Sequence, residues 1–304
     1  MRLCTIIATY NGEKYLKEQL ETIDKQIGDF KNTLVVTDDG STDKTLEIVE
    51  NFQADNVEIR IVENEGKRAG SATANFFRAL RKINLNEYDY IAFSDQDDIW
   101  LSDKLSRAID LLKLNDCYLS NLTLYYEGET PSKIMVRATN PTKFDYIFQG
   151  GSAGCTYVLR TKCMQSVLEA IKDIPLDILK KYSHDWIIYT ISRSYGYSWA
   201  RDSESRILYR QHASNLHGAT IGFSGVIKRL RLIASKWYLD NLKFNVKLLT
   251  LNSSEEKIVF DYFSKHSNVL KFKFFLVSKA LILRRDRIES FSLFLYLFIF
   301  VWIV

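Results

Sequence analysis

Two clusters of carboxylates have the residue types and spacing of a cation site. The stretch FSDQDDIW places Asp95, Asp97 and Asp98 within four positions, directly after the apolar residues 90–93. Carboxylates this close repel one another unless a cation or hydrogen-bond donors compensate their charge. In a D-x-D arrangement they can hold a divalent cation that bridges two phosphates. The alternative is a solvated turn before a helix, with Asp98 or Ser102 as its cap.

The second cluster lies in VVTDDGSTDKT, where Asp38 and Asp39 follow another apolar run. Acidic residues are favoured in a turn before a helix, so this pair alone has an ordinary structural explanation. A solvated turn does not, however, predict a matching acidic turn two strands away. We therefore expect one pocket to collect both clusters.

The elements that must position these clusters alternate along the first hundred residues. Short apolar runs predict strands at 3–8, 34–36, 57–62 and 90–93. Helical spacing of apolar residues predicts helices at 15–27, 46–52 and 71–82. This alternation indicates βαβ units and a largely parallel sheet, whose ligands gather at the carboxyl ends of the strands. The polar clusters follow these ends, at 9–12, 38–40, 64–70 and 95–98.

Beyond residue 115 the alternation is weaker. YLSNLTLYYEG and CTYVLR are typical of strands, QGGSAG precedes the second of them, and HDWIIYTISRSYG begins a short helix. We expect a boundary near residue 220. The predicted organisation is an α/β domain over 1–220, divided at about residue 115, and a C-terminal extension over 221–304.

The C-terminal extension is basic and apolar. The whole chain has a net charge of +4, but residues 225–304 contain 14 Lys/Arg against 6 Asp/Glu. GVIKRLRLIASKWY has apolar residues near helical spacing, and KFKFF and RRDR precede the final run FSLFLYLFIFVWIV. That run is shorter than the roughly twenty residues that span a bilayer. We expect contact with a membrane surface through 225–304, with a helix packed on the domain as the alternative.

Nucleic-acid binding and secretion fit the sequence less well. The aromatic residues of the extension form apolar blocks and do not alternate with basic residues, which disfavours a nucleic-acid groove. The four cysteines show no C-x-x-C pair or zinc spacing, so each is expected to be a small core residue. The N-terminus enters a strand-like run without a signal peptide, which favours a cytoplasmic location.

Five motifs occur in one order along the chain: ATYNG, VVTDDGSTDKT, FSDQDDIW, HDW and YRQH. Together they resemble the family 2 glycosyltransferases, which have the nucleotide-sugar-binding GT-A fold. SDQDDIW, HDW and YRQHASN are similar to the bacterial rhamnosyltransferase branch, which builds surface polysaccharides. The resemblance spans residues 1–217. It implies a Rossmann-like mixed sheet, mostly parallel and flanked by helices, with a nucleotide-sugar half over 1–115 and an acceptor half over 116–220.

The resemblance implies roles in binding the nucleobase of a nucleotide-sugar donor. Thr9 and Tyr10 would border the base. Asp39 would accept a hydrogen bond from its imide edge, and Asp38 would support that loop. A carboxylate that accepts from the N3–H of uracil or thymine is a sensible reader of a pyrimidine.

The resemblance also implies a divalent metal, Mg²⁺ or Mn²⁺. Asp97 would be its principal ligand beneath the diphosphate, Asp95 would face the ribose or the metal, and Asp98 would position the loop. The metal would stabilise the charge that develops on the departing nucleoside diphosphate. Arg210 and His212 lie on a segment that in the family closes over the diphosphate, although a lone histidine is often a structural residue.

For the acceptor, the resemblance implies that Asp185 of HDW is the base that takes the proton from the attacking hydroxyl. The alternative is an acidic residue that stabilises a helix N-terminus. Trp186 would either floor the acceptor pocket or pack in the core. Gly150 and Gly151 would allow close approach of the backbone to the acceptor.

An inverting, non-processive glycosyltransferase is the expected activity. A single displacement with one base inverts the anomeric configuration, and the chain lacks the Q-x-x-R-W signature of processive synthases. The branch implies transfer of L-rhamnose from dTDP-rhamnose to a lipid-linked oligosaccharide, in capsule or O-antigen synthesis. A peripheral position on the cytoplasmic face of the bacterial cell membrane would bring the enzyme to that acceptor.

Three alternatives stay open on the sequence. The enzyme would be a family 2 glycosyltransferase that uses a UDP-hexose, or the chain would be a noncatalytic membrane-bound scaffold of the same fold. A nucleotidyltransferase would also use a cation and carboxylates on an α/β sheet. Its glycine-rich triphosphate loop is missing, however, because the first turn reads ATYNGEKY.

Overall fold

A computed structural model describes residues 1–64, 66–131, 133–212 and 231–300, with only the backbone of Phe300. The described residues form two compact units. The first contains Met1–Ala138, Ser152–His184 and the strand that follows Tyr197. The second contains Thr139–Gly151, Asp185–Gly196 and the C-terminal helices. The second unit therefore includes two segments from the middle of the chain.

Nine strands form one mixed sheet in the described part of the first unit. They are β1 (Arg2–Thr9), β2 (Lys31–Asp38), β3 (Val57–Val62), β4 (Tyr90–Asp95), β5 (Ile99–Trp100), β6 (Cys117–Tyr126), β7 (Lys133–Met135), β8 (Val158–Arg160) and β9 (Trp199–Gln211). Their order is β3-β2-β1-β4-β8-β6-β9-β5, with β7 paired to β6. The long pairings of β1 with β2 and β4, β2 with β3, and β6 with β9 are parallel, whereas the short strands β5, β7 and β8 pair antiparallel.

Twelve helices accompany the sheet in the described residues. They are α1 (Leu16–Asp24), α2 (Thr45–Glu50), α3 (Ala72–Lys82), α4 (Lys104–Leu112), α5 (Asp145–Phe148), α6 (Thr161–Ala170), α7 (Leu176–Leu179), α8 (His184–Ser194), α9 (Lys236–Val246), α10 (Ser254–Lys265), α11 (Val269–Lys279) and α12 (Arg287–Phe300). The hydroxyl of Ser71 caps α3 by accepting from the backbone N–H of Ala74. Arg81 and Lys82 lie in its last turn, where cations suit the helix dipole.

The core of the first unit lies against the sheet. β1, β2 and β4 are buried along almost their whole length, as expected for parallel strands covered on both faces. Ile7, Val36 and Ala92 from these strands pack in one apolar cluster with Leu20 of α1 and Leu105 of α4. Burial on both faces explains why these strands appear in the sequence as unbroken apolar runs.

The second unit is organised around a buried glutamate. Ser253 and Glu256 form a capping box at the start of α10, in which each side chain accepts from the other residue's backbone N–H. Glu256 Oε1 also accepts from the hydroxyls of Tyr146, at 2.8 Å, and Ser194, at 3.0 Å. One side chain thus ties α5, α8 and α10 together.

The predicted fold class is confirmed: the chain has a mixed, mostly parallel sheet flanked by helices, followed by C-terminal helices. All four cysteines are buried and free, as predicted. The expected boundary near residue 220 and the segment 225–230 lie outside the described residues. Among the residues that are described, no helix is both long enough and apolar enough to cross a membrane.

Candidate active site

The register of the parallel strands brings the two acidic clusters to the same edge of the sheet. Thr9, at the end of β1, is paired with Asp38 at the end of β2. On the other side of β1, Ala8 is paired with Asp95 at the end of β4. The carboxyl ends of β2 and β4 are therefore separated by β1 alone. This places both acidic loops at the edge where α/β sheets bind ligands.

Asp38 holds the loop that follows β2. Its Oδ2 accepts from the backbone N–H groups of Gly40, at 2.9 Å, and Ser41, at 2.8 Å. Its Oδ1 accepts from the hydroxyls of Ser41, at 2.5 Å, and Thr9, at 2.9 Å. Both Asp38 and Thr9 are buried. This geometry agrees with the supporting role expected for Asp38, and it uses the Thr9 hydroxyl to brace that aspartate.

Asp39 links the loop after β2 to the loop before α3. Its Oδ1 accepts from the backbone N–H of Ala69, and its Oδ2 accepts from that of Gly70 at 2.9 Å. Arg78 Nη1 lies 3.7 Å from Oδ1. Each carboxylate oxygen has two acceptor directions, so Asp39 retains capacity for one more donor on each oxygen.

Arg78 is a site residue that the sequence reasoning missed. It donates from Nη2 to the carbonyl of Asp38, at 2.7 Å, and from Nη1 to that of Lys67, at 2.9 Å. Only 8% of its side chain is exposed. Burial lowers the pKa of Arg78, while the carboxylates of Asp39 and Asp38 raise it. The sequence offered no clear signal for it, because Asn75, Arg81 and Lys82 are also polar neighbours on α3.

Gln96, the middle residue of the D-x-D motif, was also missed. Its Oε1 accepts from the backbone N–H of Tyr10, at 2.8 Å, and its Nε2 donates to the Tyr10 carbonyl, at 3.1 Å. A Cβ added at Gly12 would lie 2.4 Å from Gln96 Oε1, so only glycine leaves room for this contact. The Tyr10 ring is 39% exposed, with the Arg68 guanidinium 4.2 Å from its centroid. The loops after β1 and β4 are thus cross-linked beside an accessible aromatic ring.

Asp97 and His212 meet at the same loop. His212 Nε2 and Asp97 Oδ2 share a hydrogen bond of 2.7 Å, and both side chains are less than a fifth exposed. Arg210 Nε donates to the Asp97 carbonyl at 2.9 Å, and its guanidinium also pairs with Glu18. Arg210 is only 3% exposed. In this structure Arg210 holds the D-x-D loop, and its expected contact with the nucleotide sugar stays a prediction.

Asp98 is buried beneath this loop. Neither of its carboxyl oxygens has a hydrogen-bond partner of ordinary geometry among the described residues. Burial raises its pKa well above the usual range, and the charges of Asp95 and Asp97 add to this effect. Lys104 is also buried, and its burial lowers the pKa to about 7. The solvated-turn alternative is therefore wrong for Asp98, because full burial removes it from water.

These residues fit a divalent cation. Ligand atoms of Asp95, Asp98 and Cys155 all lie within 4.8 Å of one another. Burial and the neighbouring carboxylates raise the pKa of the Cys155 thiol well above its usual range, so this group is a poor ligand for a soft metal. The carboxylate oxygens of Asp95 and Asp98 suit a harder cation such as Mg²⁺ or Mn²⁺. The orphaned oxygens of Asp98 are the feature that such a charge would compensate.

The HDW segment contributes residues to both units. His184, in the first unit, donates its backbone N–H to the Thr73 hydroxyl at 3.0 Å and packs its ring against Phe76. A Cβ added at Gly154 would lie 2.1 Å from His184 Nε2. Asp185, in the second unit, lies in the first turn of α8 and accepts from the backbone N–H of Trp186 at 2.7 Å. Its position suits both a base and a helix N-terminus, so its catalytic role stays a prediction.

Trp186 is packed inside the second unit. It is 4% exposed, and its indole N–H donates to the Tyr146 carbonyl at 3.2 Å. Its ring centroid lies 5.4 Å from that of Tyr238. A ring this deeply buried offers little surface to an acceptor, so the packing alternative describes Trp186 better than the pocket-floor alternative.

Gly150 and Gly151 lie in the loop that follows α5. A Cβ added at Gly150 would be 3.5 Å from Trp186 Cβ, which is an ordinary contact. Arg285 donates to both glycine carbonyls. The side chains of Arg284 and Arg285 are only 13% and 9% exposed, so these two arginines of RRDR are mostly buried.

The chain is similar to known glycosyltransferases. A dTDP-rhamnosyl transferase, RfbG, of Shigella flexneri is 40% identical over 237 residues, which cover 76% of this chain and 80% of that protein. A putative teichuronic acid biosynthesis glycosyltransferase, TuaG, of Bacillus subtilis is 26% identical over 156 residues, which cover 51% of this chain and 60% of that protein.

Solved structures share the fold. Staphylococcus aureus TarS, residues 1–349 in complex with UDP, aligns with a TM-score of 0.55 and 18% identity, covering 96% of this chain and 83% of that chain. The same fragment with UDP-GlcNAc gives a TM-score of 0.57 and 19% identity, covering 93% and 78%. The model of glycosyl transferase family 2 matches residues 4–164. With its GT-A fold and its acidic loops at one sheet edge, this chain belongs to glycosyltransferase family 2.

Proposed function

We propose that this enzyme transfers L-rhamnose from dTDP-rhamnose to a lipid-linked saccharide, with inversion and with help from Mg²⁺ or Mn²⁺. The observation that carries the proposal is the meeting of the Asp38–Asp39 loop and the Asp97–His212 pair at one edge of the sheet. The Asp38–Asp39 loop suits a nucleobase, and the Asp97–His212 pair suits a metal-bound diphosphate. The sugar is proposed from the relative at 40% identity, which is named a dTDP-rhamnosyl transferase.

Base recognition would use the loop that contains Asp39. The carboxylate is held by the amides of Ala69 and Gly70 and is buried to 4% exposure, so its direction is fixed before a ligand arrives. A preorganised acceptor loses little conformational entropy when the N3–H of thymine or uracil donates to it. The exposed Tyr10 ring beside it would stack against the base.

The metal would be held by Asp97 with His212, and Asp95 would contribute from the same loop. Two ligands of an octahedral ion, each at roughly 2.1 Å from it, lie about 3 Å apart. Asp97 Oδ2 and His212 Nε2 are already 2.7 Å apart. A divalent ion here would stabilise charge on the departing diphosphate.

Proton transfer would be the task of Asp185. An acceptor hydroxyl becomes a stronger nucleophile as a carboxylate takes its proton. One displacement with one such base inverts the anomeric centre, so a β-L-rhamnosyl donor would give an α-L-rhamnoside. Because no glycosyl-enzyme intermediate is required, a single base would suffice for the displacement.

A peripheral position on the cytoplasmic face of the bacterial cell membrane is supported by two apolar stripes. In α11 and the turn after it, exposed apolar residues recur at helical spacing: Leu270, Phe274, Val277 and Leu281. In α12 the same pattern occurs at Ile288, Phe291, Leu295 and Ile299. Lys271 and Lys273 lie beside the first stripe and suit anionic lipid headgroups. A lipid-linked acceptor would then be concentrated in the same plane.

The proposal is tested by presenting UDP-, dTDP- and GDP-sugars to the protein, with and without Mn²⁺. Thermal shift measures donor binding, and release of nucleoside diphosphate measures turnover. We expect a metal-dependent response to dTDP-rhamnose that Asp97→Ala abolishes and that Asp110→Ala, an exposed aspartate on α4, leaves intact. A response to a UDP-hexose instead would reject the rhamnose assignment, and no response to any donor by folded protein with vesicles present would reject enzymatic sugar transfer.

A further inference from the structure

We propose that Arg285 is a positioning residue for the acceptor, because its guanidinium holds the Gly150–Gly151 loop from the far end of the chain. The inference rests on the proposed function and on the role that the family resemblance implies for this loop, which is close approach to the acceptor. Arg285 lies in the turn between α11 and α12, the two helices with the apolar stripes. The same turn would therefore connect membrane contact with the shape of the acceptor loop.

The hydrogen bonds are directed at consecutive carbonyls. Arg285 donates from Nη1 to the Gly151 carbonyl, at 2.6 Å, and from Nη2 to the Gly150 carbonyl, at 2.7 Å. Arg284 Nη1 donates to the carbonyl of Phe148 at 2.7 Å. Two adjacent arginines thus hold the carbonyl of Phe148, the last residue of α5, and the carbonyls of the two glycines that follow in the loop.

Holding a carbonyl also sets the direction of the next amide. A trans peptide is planar, so the N–H of one residue points away from the preceding C=O. When Arg285 holds the carbonyl of Gly150, the N–H of Gly151 must face the opposite side of that peptide. Glycine has the widest choice of backbone conformations, so without this clamp the loop would sample several orientations.

The charge on Arg285 is balanced inside the second unit. Its Nε lies 3.7 Å from Oδ2 of Asp145, which is fully buried. Asp145 also accepts from the Tyr189 hydroxyl, at 2.8 Å, and pairs with Arg193 Nη1, at 3.1 Å. Arg285 is thereby fixed by one carboxylate and uses its remaining N–H groups on the loop. A lysine cannot reproduce this, because it lacks the planar fork of donors.

Arg193 provides a matched control. It pairs with the same carboxylate of Asp145. Its Nη2 donates to the carbonyl of Thr142, at 3.4 Å, and not to the carbonyls of the glycines. Arg193→Lys should therefore disturb the buried ion pair at least as much as Arg285→Lys, because the contact of Arg193 with Asp145 is the shorter one. Only Arg285→Lys removes the fork from Gly150 and Gly151.

The experiment measures two reactions of the full-length protein with vesicles present: hydrolysis of the donor without acceptor, and transfer to a lipid-linked acceptor. For Arg285→Lys we expect kcat/KM for the acceptor to fall on the order of 10- to 100-fold, with donor hydrolysis within about twofold of wild type. Guanidinium ion added to Arg285→Ala should restore part of the transfer. Arg193→Lys should keep acceptor kcat/KM near the wild-type value.

Several outcomes would overturn the inference. Equal losses of hydrolysis and transfer, or equal losses in Arg285→Lys and Arg193→Lys, would reduce Arg285 to a stability role. Loss of the cooperative thermal transition in both Arg285 variants would also show that Arg285 acts only on stability. Unchanged acceptor kcat/KM in Arg285→Lys would reject the inference while leaving the proposed function intact, whereas wild-type protein that transfers no sugar would reject both.

Discussion

His212 Nε2 lies 2.7 Å from Asp97 Oδ2, although 115 residues separate them in the chain. One group comes from the end of β9 and the other from the loop after β4. Both groups can ligate a divalent cation, and the hydrogen bond holds them side by side. The pair is therefore the first place at which a metal requirement should be sought.

Asp97→Asn should remove most metal-dependent transfer, by about 10²- to 10³-fold in kcat, because the charge opposing the diphosphate depends on this ligand. His212→Ala should leave activity at saturating Mn²⁺ but raise the half-maximal Mn²⁺ concentration by about 10- to 100-fold. A Mn²⁺ titration of donor hydrolysis measures both effects. Asp110→Asn serves as the exposed control, and Mn²⁺ curves that coincide for all three variants would contradict the assignment.

Gln96→Ala should loosen the link between the loops after β1 and β4. It removes two hydrogen bonds to the Tyr10 backbone, and we expect a loss of about 1–2 kcal/mol in the free energy of unfolding together with weaker donor binding. Gly12→Ala should act through the same contact, since its Cβ would displace the Gln96 amide. Urea unfolding of the two single variants and the double variant is the measurement. Additive losses would show that the two positions act separately.

Arg78→Met should destabilise the first unit by about 3 kcal/mol. It removes the donor that holds the carbonyls of Asp38 and Lys67, and it takes the guanidinium away from the buried Asp39 carboxylate. Arg78→Lys should recover part of this stability. Denaturant unfolding and donor titration together test the idea, with Lys113→Met as an exposed control expected within about 0.5 kcal/mol of wild type. A stable Arg78→Met variant with normal donor affinity would be incompatible with it.

The double change Leu270→Asp and Phe274→Asp should weaken binding to vesicles that contain anionic lipid by at least about tenfold. Each side chain is more than three-quarters exposed and would lose its apolar contact with the bilayer. Leu114→Asp changes a leucine that is 91% exposed in the first unit and should have no effect. Vesicle flotation gives the comparison. Wild-type protein that stays with the soluble fraction at low ionic strength would exclude this surface.

The sequence was most informative where contacts are local or periodic. The apolar runs of β1 to β4 and the helices between them gave a parallel sheet, and parallel strands bring their carboxyl ends to one edge whatever their order. That rule placed Asp38, Asp39, Asp95 and Asp97 together. It could not place β8, because three residues pair antiparallel with β4 and β6 only when the rest of the sheet is present.

Side chains that serve distant backbone groups were beyond sequence reasoning. Arg284 and Arg285 have the composition of a basic surface, yet their partners lie more than 130 residues earlier. Gln96 was passed over as the neutral spacer of D-x-D, because hydrogen bonds from a side chain to a remote peptide leave no periodic signal. Trp186 and Arg78 show the same difficulty, since their burial depends on packing that forms only in the folded chain.

The long sequence separation between Arg285 and the Gly150–Gly151 loop also bears on how the chain folds during synthesis. A nascent chain emerges from its N-terminus, and early segments fold first. The Gly150–Gly151 loop leaves the ribosome 134 residues before the arginine that holds Gly151. The sheet and its acidic loops can thus form before Arg285 is available to hold the Gly150–Gly151 loop. A polypeptide that ends before Arg285 would keep the residues proposed for donor recognition, but its Gly150–Gly151 loop would lack this support.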